Sequence, residues 1–183
     1  MSDILLSAHD LTVRFGGVLA VNQVSFEVRQ GEVFTLIGPN GAGKTTVFNL
    51  ISRIYTPTSG FLNYAGQRLS DMPAHAVAAA GIARTFQNIE LFEHASVLHN
   101  LLIGRHVHNR TGFWQQMLFT PSVRRAEIAT RRKVEEIIDF LDLQKYRDTM
   151  VAGLPYGIRK VVELARALCT EPTLLLLDEP SSG

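Results

Sequence analysis

The sequence predicts an α/β fold with a parallel-sheet core, an antiparallel β portion near the N-terminus and an inserted helical section. Three stretches predict it. Val33-Phe34-Thr35-Leu36-Ile37 reads as a short buried strand, the glycine-rich Gly38 to Thr46 follows it, and Thr45 to Ile51 has the apolar spacing of a helix. Residues 5 to 28 alternate apolar and polar in the manner of antiparallel strands with one buried face. Thr173 to Asp178, Thr-Leu-Leu-Leu-Leu-Asp, is an unbroken apolar run of the kind buried in parallel sheets.

In chain order, Leu11, Val13 and Phe15 and then Val24, Phe26 and Val28 carry the N-terminal alternation, broken by Gly16-Gly17 and by Asn22. Gln30-Gly31 turns into the Val33–Ile37 strand. Beyond the first helix, Tyr55 to Gly60 is a turn cluster, Phe61 to Tyr64 reads as a strand, and Pro73 opens a short alanine-rich helix that reaches Ala80 before Gly81 ends it. Ile82 to Phe86 is another strand. From Ser96 the periodicity is helical: Leu98, Leu101 and Leu102 share a face, as do Val134, Ile137, Ile138 and Leu141. Pro121-Ser122 marks a helix start with Ser122 as candidate cap. Thr111-Gly112-Phe113-Trp114 is a loop whose aromatics fit a partner contact and local packing equally well. Gly153 to Gly157 is a breaker cluster, and Val161, Ala165 and Leu168 mark a helix that Pro172 stops.

With 183 residues and 46% hydrophobic content the chain suffices for one domain, spanning 1–183, with the helical section at about 88–157 inserted in its core. A net charge of +1 lacks the electrostatic footprint of a nucleic-acid binder. Glu127, Glu135 and Glu136 interrupt the basic stretch Arg124-Arg125 to Arg131-Arg132-Lys133, which reads as a solvated helix face. Cys169, the single cysteine, excludes an intrachain disulfide, fits a reducing compartment and reads as a buried thiol. The N-terminus lacks a basic region followed by a long apolar one, and no run approaches the roughly 18 apolar residues needed to span a membrane. A cytosolic or peripheral protein is expected.

Gly38-Pro-Asn-Gly-Ala-Gly-Lys-Thr-Thr46 fits the phosphate-loop pattern G-x-x-x-x-G-K-[ST], in the required order of strand, glycine loop and helix. Gly38, Gly41 and Gly43 let backbone N–H groups turn inward around phosphates, and the helix that follows aims its positive end at them. Lys44 supplies a point charge for the β- and γ-phosphates, and Thr45 offers a hydroxyl to the Mg²⁺ that bridges them. At the other end of the chain, a central strand would carry Asp178 and Glu179 to the ligand edge of the sheet. Asp178 would orient Mg²⁺ through a water, and Glu179 would act as general base on the attacking water.

Gly38 to Thr46, Thr85-Phe-Gln87, the Leu154 to Lys160 cluster before a helix, and Leu174-Leu-Leu-Leu-Asp-Glu-Pro180, in this order, resemble an ABC-transporter ATPase subunit along the whole chain. Within that family the chain looks most like the larger ATP-binding subunit of bacterial high-affinity branched-chain amino-acid uptake systems. Arg14-Phe-Gly-Gly17, Thr46-Val-Phe-Asn49, Arg84-Thr-Phe-Gln87, Thr111-Gly-Phe-Trp114 through Thr120-Pro-Ser-Val-Arg-Arg-Ala126, and Tyr156-Gly157 carry that narrower likeness. The resemblance implies a P-loop NTPase of the ABC type that binds and hydrolyses ATP with Mg²⁺. Asn40 and Thr46 join the loop's nucleotide contacts, and Phe15 matches the aromatic that stacks on adenine; a core strand position is the competing reading of Phe15. Gln87 matches the glutamine that touches Mg²⁺ and the attacking water and relays nucleotide state to the membrane subunits.

Leu154-Pro155-Tyr156-Gly157-Ile158 stands where the family carries Leu-Ser-Gly-Gly-Gln, which closes over ATP on the opposite subunit. Gly157 keeps the anion-binding backbone, but Pro155 has neither a hydroxyl nor an N–H, and Ile158 cannot hydrogen-bond. A weakened site, and hence two unequal sites in the dimer, is expected. The resemblance also implies integral membrane permease subunits, a second ATP-binding subunit in a homo- or heterodimer, a periplasmic substrate-binding protein acting indirectly, no nucleic acid, and a place on the cytoplasmic face of the bacterial inner membrane. ABC ATPases serving urea, short amides, other amino acids or lipopolysaccharide export are the rival readings within the family. A soluble ABC protein working on ribosomes or DNA and a nucleotide-binding but inactive fragment are the rivals outside it. The chain stops at Gly183, short of the family's switch histidine and later strands, so it is expected to be aggregation-prone and weakly active by itself.

Overall fold

The N-terminal alternation folds into a hairpin of two long strands, β1 (Ile4–Phe15) and β2 (Val18–Arg29), turning at Gly16, which takes a φ of +58°. The computed structural model describes residues 4–85, 90–105 and 121–178. β1 also pairs antiparallel with β3 (Ser59–Tyr64), and β3 with the short β4 (Gln67–Arg68), giving the order β2-β1-β3-β4. The alternation is not in strict phase, because Asp10 has a φ of +46° and the register shifts between Ala8 and Leu11. This bulge lets Leu6 and Ala8 on one side of it, and Leu11 and Val13 on the other, all reach the same core. Asn22 does not end a strand: β2 runs through it, with Gln23 at a φ of +48° absorbing the irregularity. α1 (Lys44–Ile51) contributes Val47, Leu50 and Ile51 to the buried set of this first compact unit, Met1–Ile82.

Two sequence expectations fail in this unit. Val33–Ile37 has the composition of a strand but pairs with none among the described residues, and Val33 and Ile37 are 93% and 88% exposed. An apolar run becomes a strand only when neighbours satisfy its backbone, and the four strands of this sheet leave it unpaired. Leu36 is half-buried, and Phe34 stacks on Phe26 at 5.2 Å. The alanine-rich stretch after Pro73 is a 3₁₀ turn at Ala74–Ala76 followed by hydrogen-bonded turns to Gly81, not an α-helix. A run of that length closes too few i→i−4 bonds to repay helix nucleation.

The second unit, Ala83–Gly183, holds β5 (Ile82–Arg84) paired with β6 (Leu174–Leu176), and the helices α2 (Val97–Gly104), α3 (Pro121–Phe140) and α4 (Tyr156–Leu168). Val97 and Leu101 from α2, Val134 and Ile138 from α3, and Val162 and Ala165 from α4 form a single core. α2 and α4 approach so closely that a Cβ on Gly104 would lie 2.7 Å from the Arg166 carbonyl oxygen. Ser96 caps α2 by accepting from the His99 amide. Asn100 is fully buried: its Oδ1 accepts from the Phe92 amide at 2.9 Å, and its Nδ2 donates to the carbonyls of Phe92 and Ser96.

Pro121 is the first residue of α3, so Ser122 lies inside the helix and not at its cap, in keeping with the tolerance of a helix's first position for proline. The basic residues of α3 form its solvated face, with Arg131–Glu127 and Arg132–Glu136 pairs. Arg105 ties the end of α2 to the segment after α4, donating to the Cys169 carbonyl and pairing with Glu171 at 2.8 Å; that contact holds the Glu171 carboxyl below its usual range. Cys169 is buried as expected, and burial pushes its thiol up to about 12. Of the apolar run before Asp178, only Leu176 is fully buried and Leu177 is 40% exposed. No described helix is long and apolar enough to cross a membrane.

Candidate nucleotide site

The phosphate loop lies in the first unit. Gly43 is the N-cap of α1 with a φ of +84°, a conformation that costs an L side chain roughly 1–2 kcal/mol. It also lies against β2: a Cβ there would sit 2.4 Å from the Ala20 carbonyl oxygen and 3.2 Å from Val21 Cγ2. Gly41 has a φ of +82° but open space around it, and Gly38 would place a Cβ 3.1 Å from that of Ala42. Sterics and backbone conformation thus require glycine most strictly where the loop meets the helix.

Lys44 Nζ donates to the Gly38 carbonyl at 2.6 Å and to the Pro39 carbonyl at 3.0 Å, so the ammonium is folded back across the loop. Two of its three N–H donors are thereby used. The first turn of α1 has no acidic residue, and no side chain caps it, which leaves the amides of Lys44, Thr45 and Thr46 for an anion. Thr45 and Asn40 are exposed at this end of the helix and Thr46 is half-buried. A positive helix end, a lysine and a hydroxyl around a concave backbone fit a nucleotide phosphate with a hard, oxygen-liganded cation.

Phe15 ends β1 at 45% exposure and meets Tyr55 edge-on, with ring centroids 5.1 Å apart. That exposure excludes the core reading and leaves a ring able to stack on a flat ligand. The sequence pattern did not single out Tyr55; its place in the turn cluster after α1 is set by the pairing of β3 with β1 and becomes visible only when the sheet is assembled.

Asp178 lies in the second unit, two residues past β6, and is buried. Its Oδ2 accepts from Arg84 Nη2 at 2.9 Å, and both side chains are less than 10% exposed. The Thr85 amide donates to the Leu176 carbonyl at 3.0 Å, fixing the register that brings the two charges together. In the sequence Arg84 belongs only to the Arg84-Thr-Phe-Gln87 resemblance; an arginine directly after the apolar Ile82-Ala83 is the one local sign that an acid faces it in the fold. Gly157 lies in the first turn of α4, with open space where a Cβ would be. Pro155 is the N-cap of that helix and offers no side-chain hydrogen bond. Ile158 is not an exposed stand-in for a polar residue: it packs against the core formed by α2, α3 and α4. Gln87, Glu179 and the Thr111–Trp114 segment lie outside the described residues.

Residues 21–182 match the family model described as ABC transporter. The chain belongs to the ABC transporter family. The chain is 40% identical over all of its 183 residues, which span 72% of the relative, to the high-affinity branched-chain amino acid transport ATP-binding protein LivG of Salmonella typhimurium. It is 39% identical, with the same coverage, to the high-affinity branched-chain amino acid transport ATP-binding protein BraF of Pseudomonas aeruginosa. Among solved structures, the ADP conformation of an ATP-binding cassette of an ABC transporter matches with a TM-score of 0.80 and 28% identity, over 98% of this chain and 70% of that one. The fold is that of ABC ATPase cassettes, with its antiparallel sheet in the first unit and a parallel pair, β5 and β6, in the second.

Proposed function

We propose that this ABC chain is an ATP-binding and ATP-hydrolysing subunit that drives import of branched-chain amino acids through separate membrane permease subunits. The observation that carries the reading is the 40% identity with LivG over the full length of the chain. Both compact units would belong to one ATPase domain, 1–183, in which the helical section at about 88–157 is an insertion. The subunit would sit peripherally on the cytoplasmic face of the bacterial inner membrane, paired with a second ATP-binding subunit, served indirectly by a periplasmic binding protein, and without nucleic acid.

The residues divide the work as follows. Lys44 and the amides from Gly41 to Thr46 hold the phosphates, with Gly38 and Asn40 shaping the loop; Phe15 stacks on the base. Thr45, Gln87 and Asp178 supply the oxygens that would hold Mg²⁺, which when bound neutralises charge on the transferred phosphoryl group. Glu179 takes the proton of the attacking water, and Gln87 orients that water. Gly157, at the N-terminus of α4, presents the anion-binding face to nucleotide on the opposite subunit.

Reconstitution of the full-length protein with its permease subunits in vesicles tests the reading. ATP-dependent uptake of labelled leucine, isoleucine and valine is expected, with urea and short amides not transported. Uptake of one of those instead would reassign the solute, and an ATPase that never co-purifies with membrane subunits would overturn the transport assignment.

The signature positions yield a sharper expectation in the same assembly. Pro155→Ser supplies the missing N-cap of α4, a change worth about 1 kcal/mol in such positions, together with a hydroxyl toward the partner's nucleotide. Its ATPase rate should rise severalfold. Ile158→Gln restores a donor but removes a packed apolar side chain from the core, at a cost of roughly 1–2 kcal/mol, so its gain should be smaller and accompanied by a lower melting temperature. Unchanged ATPase activity in Pro155→Ser and in the double variant would remove the idea of a weakened site.

A further inference from the structure

Two large aromatic rings stand together at the surface of the first unit, outside its core. Phe15 and Tyr55 are 45% and 40% exposed, and their centroids lie 5.1 Å apart at an interplanar angle of 69°. An edge-on contact directs the positive rim of one ring at the negative face of the other, and so restrains how each can turn. It covers at most one face of either ring, so Phe15 keeps a face for a flat ligand. The Tyr55 backbone is fixed from two sides. Its amide and that of Ile54 donate to the Asn49 carbonyl in α1, at 3.2 and 2.9 Å. Three residues on, the Thr58 amide donates to the Thr12 carbonyl at 2.8 Å, and Thr58 Oγ1 accepts from the Arg14 amide at 3.0 Å. Arg14 directly precedes Phe15, so the turn between α1 and β3 is pinned to the end of β1 that carries the ring. Phe15 pairs across the hairpin with Val18, itself 67% exposed. Ala20, whose carbonyl Gly43 approaches, follows about 7 Å further along β2. The exposed ring and its apolar neighbour therefore sit on the strand end that the phosphate loop abuts.

We propose that Tyr55 is a positioning residue for base recognition: anchored to α1, it holds the Phe15 ring in the orientation that stacks on the base, so that base and phosphates are registered to the same helix. On the nucleotide-site reading above, which this proposal requires, Tyr55 acts through Phe15 and touches no phosphate. Its loss weakens a ligand that has a base and spares one that has none. The energy of an aromatic pair sets the scale of the effect at roughly two- to tenfold in affinity.

The test compares, by titration calorimetry on the full-length protein, the affinities for ATP and for inorganic tripolyphosphate, which has the phosphates but no base. Tyr55→Leu is expected to weaken ATP binding roughly three- to tenfold and to leave tripolyphosphate binding unchanged. Tyr55→Phe, which keeps the edge-on contact, should bring ATP affinity back to within about twofold of the parent. Phe15→Leu should weaken ATP binding at least as much as Tyr55→Leu, and the double variant no further than Phe15→Leu alone. Parental ATP affinity in Tyr55→Leu beside a weakened Phe15→Leu overturns the proposal, as does a double-variant loss equal to the product of the two single losses. An equal loss of ATP and tripolyphosphate in Tyr55→Leu overturns it too, because the damage would then lie in the phosphate loop. If Tyr55→Leu does not fold, Tyr55→Gln is measured in its place against the same outcomes. Parental ATP affinity in Phe15→Leu would instead overturn the base-stacking reading, and the proposal with it.

Discussion

Lys44→Ala should weaken Mg-ATP binding roughly ten- to a hundredfold and reduce steady-state phosphate release to background. The structure gives both parts of this expectation a cause. Nζ lies across the loop on the Gly38 and Pro39 carbonyls, so the charge is already delivered to the concave side before any ligand arrives, and little side-chain entropy remains to be lost on binding. A charge-assisted hydrogen bond contributes about 1.5–3 kcal/mol, which corresponds to that range of affinity. Stability should change little, because the loop carbonyls that Lys44 touches lie at the surface and water can replace it. Titration with a fluorescent nucleotide, alongside a phosphate-release assay and a thermal melt, checks all three. Wild-type affinity in a folded Lys44→Ala variant would remove the lysine from the site.

The parts of the site that were legible in the sequence are those whose physics is local. The glycine loop, the lysine and the helix after it span Gly38 to Ile51, and their conformations follow from neighbours only a few residues away. The hairpin of β1 and β2 was legible for the same reason, although the bulge at Asp10 that keeps Ala8 and Leu11 in one core is invisible to a period-two pattern. The unpaired state of Val33–Ile37 was not, because strand character lies in the pairing and not in the residues. Ile158 carries a second role that its place in a binding signature does not announce: besides offering no donor, its side chain packs against the helical core, and that packing depends on how three helices meet. The Arg84–Asp178 pair joins residues 94 apart through the register of two short strands, and only the fold itself brings such a pair together.

The two left-handed glycines of the phosphate loop should respond very differently to the same substitution. Their φ values are nearly equal, +82° for Gly41 and +84° for Gly43, so the backbone strain of an added methyl group is about 1–2 kcal/mol at each. Surroundings decide the rest. A Cβ on Gly41 meets nothing within 4 Å, whereas one on Gly43 meets the Ala20 carbonyl oxygen at 2.4 Å. Ala20 belongs to β2, which is held along its length by β1, so the strand cannot yield and the loop must. Overpacking against a fixed neighbour adds about 1–3 kcal/mol, bringing Gly43→Ala to about 2–5 kcal/mol in total. At roughly 2–4 °C per kcal/mol for a chain of this size, Gly43→Ala should lower the melting temperature by about 4–20 °C and Gly41→Ala by about 2–8 °C. Binding should divide in the same direction, since Gly43 is the N-cap of α1 and any shift there moves the amides of Lys44, Thr45 and Thr46 together. Thermal melts and nucleotide titrations of the two variants, measured side by side, decide it. Equal losses at the two positions would mean that backbone conformation alone demands glycine in this loop and that its approach to β2 contributes nothing.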